Sequence, residues 1–175
     1  INDSTGDKTF LENVGYKVLE DSVIVGTSDT DETLNYNEIK LSDDSIYKQY
    51  TSQNFQSASV IKYLVVNDDG DVVAAKGNYT GENGASEMQR LGYTVLTDCH
   101  IIASASDDKT LSSNEVRTSA GVYKTSNNDI TSKVGEYGTL LLDKNKNIIS
   151  ASTKDAPYTE YIVAEVTDDT IKYVS

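Results

Sequence analysis

One cysteine, one proline, one methionine, one histidine and no tryptophan occur among 175 residues. With Cys99 alone, no intramolecular disulfide can form, and the compartment stays open because many exported bacterial proteins do without disulfides. The lone His100 excludes a zinc site built on two histidines, and Cys99 beside it is too little to rebuild one. It is also the one side chain whose ordinary pKa suits acid–base work near neutral pH. No apolar run approaches the roughly 18 residues that a membrane-spanning helix needs. The opening Ile1-Asn2-Asp3-Ser4 has the pattern of neither an initiator nor a signal peptide, so the chain reads as a processed product or an excised fragment. Basic residues are scarce: 15 Lys and Arg against 28 Asp and Glu give a formal charge of -13 and a pI near 4.3. Nucleic acid and anionic membranes demand positive potential, so neither is expected as a partner, nor is membrane insertion. Catalytic motifs are missing too: there is no Gly-x-Ser-x-Gly, phosphate loop or dinucleotide fingerprint.

What is present is a repetition. Gly15-Tyr16-Lys17-Val18-Leu19-Glu20-Asp21 returns 77 positions later as Gly92-Tyr93-Thr94-Val95-Leu96-Thr97-Asp98. Thr33-Leu34, Asn37-Glu38 and Ser42 return in the same register as Thr110-Leu111, Asn114-Glu115 and Ser119. Of the 28 positions 15–42 compared with 92–119, 12 are identical. One residue is then lost, and Ile46-Tyr47-Lys48 reappears as Val122-Tyr123-Lys124 at an offset of 76. The pattern reads as a tandem duplication, and such a repeat takes precedence over residue-level reading. A unique active site is seldom built twice, whereas a structural or binding module often is.

The apolar positions are rich in Val, Ile, Thr and Tyr, which favours strands. Residues 16–27 read as a long strand, followed by an acidic bend at 28–32. Segments 37–41 and 45–50 read as strands around the turn Ser42-Asp43-Asp44. The strongest local signal is 62–75, where two β-rich runs flank Asp69-Gly70; a hairpin with a type I′ turn is expected. Its counterpart is 139–150. Residues 77–87, carrying Gly77, Gly81 and Gly84, read as a linker. The expected fold is all-β: two tandem small β-barrel or sandwich-like repeats with an extra C-terminal hairpin. The expected organisation is an N-terminal arm at 1–10, repeat 1 at 11–76, the linker at 77–87, repeat 2 at 88–154 and a hairpin at 155–175.

Candidate chemistry is thin. His100 aligns with Val23 and Cys99 with Ser22, so positions that accept Val and Ser in the other copy read as structural, and no catalytic residue is assigned. Acids crowd two bends, Asp29, Asp31 and Glu32 in the first copy and Asp107 and Asp108 in the second. Calcium takes six to eight oxygens from such clusters and is the one ion these residues would hold; no other cofactor is expected. The bland alternative is Asp as an ordinary turn former. Tyrosine is abundant, 12 against two Phe. Tyr16/Tyr93 and Tyr47/Tyr123 recur in both copies and read as semi-buried pillars, while Tyr36, Tyr50 and Tyr79 are expected in loops, where they suit interfaces.

The run Gly92-Tyr93-Thr94-Val95-Leu96-Thr97-Asp98, then Ile101-Ile102-Ala103, then Thr118-Ser119-Ala120-Gly121-Val122-Tyr123-Lys124 and Val134-Gly135-Glu136-Tyr137-Gly138-Thr139-Leu140, resembles a repeated β module. That module occurs in surface proteins of Gram-positive anaerobes that carry S-layer homology domains elsewhere in the chain. The likeness covers 88–152 well and 11–75 more loosely. It implies an exported, cell-surface structural region and carries no catalytic residue with it. The expected function is a non-enzymatic bacterial S-layer, filament or stalk subunit, self-associating or lining up with neighbouring surface-protein modules. The runner-up is a monomeric extracellular module that binds a glycan or acts as an adhesin.

Overall fold

The computed structural model describes residues 5–50, 54–126, 128–155, 162–166 and 171–174. The fold is all-β; the described residues also include two short α-helices and one 3-10 helix, and the chain divides into two units, Ile1–Thr94 and Val95–Ser175.

The first unit opens with helix α1 (Thr5–Asn13) and continues through β1 (Lys17–Thr27), β2 (Glu38–Leu41), β3 (Ile46–Gln49), β4 (Ser59–Val66) and β5 (Asp71–Tyr79) to helix α2 (Gly81–Arg90). The strands close into a barrel in the order β1-β2-β3-β5-β4. All neighbours are antiparallel except β3 and β5, which meet in parallel at Lys48 opposite Asp71 and Gln49 opposite Val72. Ile24, Ile39, Leu41, Phe55, Ile61, Leu64, Val66 and Val72 fill the interior.

The irregular alternation of β1 has a local cause. Asp21 takes φ 49, a left-handed conformation rare outside glycine, and it falls between the pairs Glu20–Tyr63 and Ser22–Ile61. This kink shifts the two-residue period by one. Leu19 before it and Ile24 after it therefore both face the core, despite their odd separation.

The second unit holds β6 (Thr94–Ser104, its first residue at the unit boundary), β7 (Glu115–Thr118), β8 (Gly121–Lys124), a 3-10 helix (Asn128–Lys133), β9 (Glu136–Leu142) and β10 (Ile148–Asp155). Its sheet runs β10-β9-β6-β7-β8, with one parallel bridge between Thr125 and Ile148. The core is Cys99, Ile101, Val116, Ile130, Leu140, Leu142, Ile148 and Ala151. Asp98 has the same φ of 49 as Asp21, and β6 and β7 begin and end 77 residues after β1 and β2. The lost residue lies in the β2–β3 turn: Ser42-Asp43-Asp44 with Asp44 at φ 68 becomes Ser119-Ala120, and Gly121 then takes φ 138.

Three local expectations are corrected. The turn between β4 and β5 is not type I′, because only Gly70 has positive φ, 79. Gly70 N–H donates to the Asn67 carbonyl, and the Asn67 side-chain oxygen accepts from Asp69 and Asp71 N–H at 3.0 and 2.9 Å. The result is a three-residue loop ending in a left-handed bulge residue, organised by the Asn67 side chain. Segment 77–87 is no linker but the end of β5 and most of α2, which packs on β4 and β5. Gly84, a linker signal in sequence, is a packing residue: a Cβ there would stand 2.7 Å from the Tyr79 carbonyl oxygen and 3.2 Å from that of Ala58. The apolar anchor, fully buried Met88, lies just past the segment. The arm expected at 1–10 is α1 from Thr5 onward, and residues 1–4 lie outside the described residues. The C-terminal hairpin is present as β11 (Ile162–Val166) and β12 (Ile171–Val174), a two-stranded antiparallel sheet separate from both five-stranded ones.

Candidate functional site

The acidic bends are built on local hydrogen bonds. Asp31 follows β1, and its Oδ1 accepts from both the backbone and the hydroxyl of Thr33. Asp108 repeats this after β6, accepting from Thr110 N–H at 3.0 Å and the Thr110 hydroxyl at 2.6 Å. Its second oxygen takes the Arg117 guanidinium, at 2.8 and 3.0 Å. Asp107 turns the other way and caps Ser104 through its N–H and hydroxyl. Asp29 and Glu32 are exposed. Among the described residues no group of three or more His, Cys, Asp or Glu is placed to hold a metal ion. Neither bend, Asp29-Asp31-Glu32 or Asp107-Asp108, therefore forms such a group.

These bonds leave an electrostatic mark. The Thr110 bonds first, and the Arg117 guanidinium after them, hold the Asp108 carboxyl down to about 2. Glu38 and Glu115 are lowered as well, chiefly by accepting from the backbone of Asn35 and Ser112. Asp43 is lowered by the Ser45 hydroxyl. Each is a carboxylate fastening a turn.

His100 and Cys99 are neighbours in β6 but point to opposite faces, as consecutive strand residues must. Cys99 is in the core, 2% exposed, with the Ser119 hydroxyl donating to its sulfur at 3.6 Å. The His100 ring stacks on Tyr137, with centroids 5.3 Å apart and an interplanar angle of 20°. No nucleophile–base pair is formed between them, since such a pair needs hydrogen-bond contact.

Sequence reasoning missed one depression. In the first unit Asp21, Lys62, Tyr79, Glu87 and Arg90 line a shallow polar cleft of about 230 Å³. Arg90 closes one wall, reaching Asp21 at 2.9 Å and Glu87 at 2.7 Å, and these two carboxylates raise its pKa, Glu87 most. The cleft exists because α2 lies across β4 and β5 beside the kink at Asp21. Tyr79, expected in a loop, is the last residue of β5 and joins this lining. The signal lay in the spacing of Glu87 and Arg90, one helical turn apart, but only once 77–87 is read as helix.

Tyr47 and Tyr123 pack at the edges of the two cores as half-buried pillars, while Tyr36 and Tyr50 stand 86% and 68% exposed. Among the described residues no helix is long and apolar enough to cross a membrane. No family model, no curated protein and no solved structure matches the chain.

Proposed function

We propose that the chain is a non-enzymatic structural subunit of a bacterial cell surface, exported and assembled edge to edge into an S-layer, filament or stalk. The observation that carries this reading is the β11–β12 hairpin, a two-stranded sheet that pairs with neither five-stranded sheet. An isolated hairpin is marginal in water, and sheet edges of this kind bind neighbouring strands through main-chain hydrogen bonds. The acidic surface supports solubility before assembly and disfavours nucleic acid and anionic membranes as partners. A non-catalytic role agrees with acids spent on turns and with a buried Cys99.

A second reading, a monomeric glycan-binding or adhesin module, is favoured by the Tyr79 cleft, where an aromatic ring stands among charged hydrogen-bonding groups.

Negative-stain electron microscopy and light scattering of the purified chain, with and without millimolar calcium, decide between them. Ordered filaments or sheets support the structural reading, and dependence on calcium would return the acidic bends to consideration. A clean monomer in both conditions sinks it and makes glycan binding, weakened by Tyr79→Ala, the next test.

A further inference from the structure

The first unit closes into a barrel where its third strand meets its fifth, whereas the five strands of the second form a sheet whose corresponding ends, β8 and β10, are joined by one bridge only. In the first module two residue pairs face each other, Lys48 opposite Asp71 and Gln49 opposite Val72. Lys48 N–H donates to the Gly70 carbonyl at 3.3 Å and Tyr50 N–H to that of Val72 at 3.1 Å. In the second module the join is a single bridge, Thr125 with Ile148, and Ser126 N–H donates to the Ile148 carbonyl at 3.3 Å. The residues at the join explain the contrast. Asp71 sets an acid opposite Lys48; its counterpart 76 positions on is Asn147, which brings no acid to the join, although Lys124 keeps Glu115 opposite it on β7. Gly70 suits its left-handed bulge position, whereas Lys146 holds the same conformation at φ 63, which a residue with a Cβ adopts at a cost. β8 is also largely exposed, three of its four residues facing solvent.

We infer that the second sheet parts readily at this single bridge, between β8 and β10, with the β7–β8 hairpin lifting as a unit while β6, β9 and β10 stay together. The first barrel, with the same strand order and a longer join, stays closed under the same conditions. An open join offers β8 and β10 as edges for an incoming strand, as edge-to-edge assembly would require. The opening itself does not depend on that reading.

Amide hydrogen exchange of the full chain, resolved by residue and corrected for intrinsic rates, tests the inference with an internal control. Protection at Lys124 and Ser126 is expected to fall about tenfold or more below that at Lys48 and Tyr50, and equally below that at Leu140 to Leu142 in the same module. Equal protection at the two joins overturns it. So does exchange at Lys124 and Ser126 matching Leu140 to Leu142, which would mean that the whole module opens. The double variant Lys146→Gly with Asn147→Asp gives the second join the residues of the first and is expected to recover most of the lost protection. If it recovers none, the join is not what governs the opening. None of these outcomes bears on filament formation, which microscopy of the same sample reports separately.

Discussion

At the scale of single residues, backbone conformations that glycine tolerates and other residues do not are the sharpest features. Lys146 occupies the left-handed position that Gly70 fills in the other hairpin. Lys146→Gly is expected to stabilise the chain by about 0.5–1 kcal/mol, the left-handed penalty of about 1–2 kcal/mol less the entropy that glycine adds to the unfolded chain. Urea unfolding at neutral pH reads the change, and a loss of stability would sink the argument. Asp108 supplies the pH dependence. Its folded pKa, about 2, lies below the ordinary 3.8. Its contribution is therefore complete above about pH 4 and is lost as pH falls toward 2, because the unfolded chain binds the proton first. The lowered Glu38 and Glu115 act in the same direction. Between pH 4 and 2 the stability of Asp108→Asn should decline less steeply than that of the parent chain. Parallel slopes would show that the carboxylate is not the cause.

Among the elements, α2 is the one that packing rather than propensity explains. Its sequence, with glycines at 81 and 84 and no aliphatic residue larger than Ala before Met88, does not favour a helix in isolation. It is held by fully buried Met88, by the backbone approach at Gly84 and by the Arg90 pairs to Asp21 and Glu87. Met88→Ala should cost about 2–4 kcal/mol, as truncations of buried large side chains do. Gly84→Ala should cost about 1–3 kcal/mol from overpacking against the Tyr79 carbonyl. Thermal unfolding of both variants checks the pair; a neutral Gly84→Ala would mean that the helix can shift without loss. The strands, by contrast, were legible from sequence, because β-branched runs between Asp and Gly turns have few other solutions. The helix was not, since a glycine that permits contact and a glycine that permits flexibility are the same letter. The cleft went unseen for the same reason: two of its five residues belong to α2. The kink at Asp21 was likewise invisible, although it governs which face Leu19 and Ile24 take.

On the scale of the whole molecule, the described residues form a closed five-stranded barrel, a second five-stranded sheet and a two-stranded hairpin. Ending the chain after Asp155 removes β11 and β12 and leaves both described cores intact. Such a truncation should keep the circular dichroism and cooperative unfolding of the parent while losing any ordered assembly. Undiminished assembly would transfer the contact elsewhere, with the exposed Phe10 of α1 and Val14 just after it the next surface to test.

The two helices end alike: Tyr16 N–H donates to the Leu11 carbonyl, as Tyr93 N–H does to that of Met88, after a left-handed glycine, 15 or 92. Their starts differ. Asp7 stands 77 residues before Gly84, where no side chain fits against the Tyr79 carbonyl. A helix copied from α1 could therefore not be spliced in behind β5 in place of α2. The two helices are therefore not interchangeable parts, a one-way fit that the similarity of the strands beside them conceals.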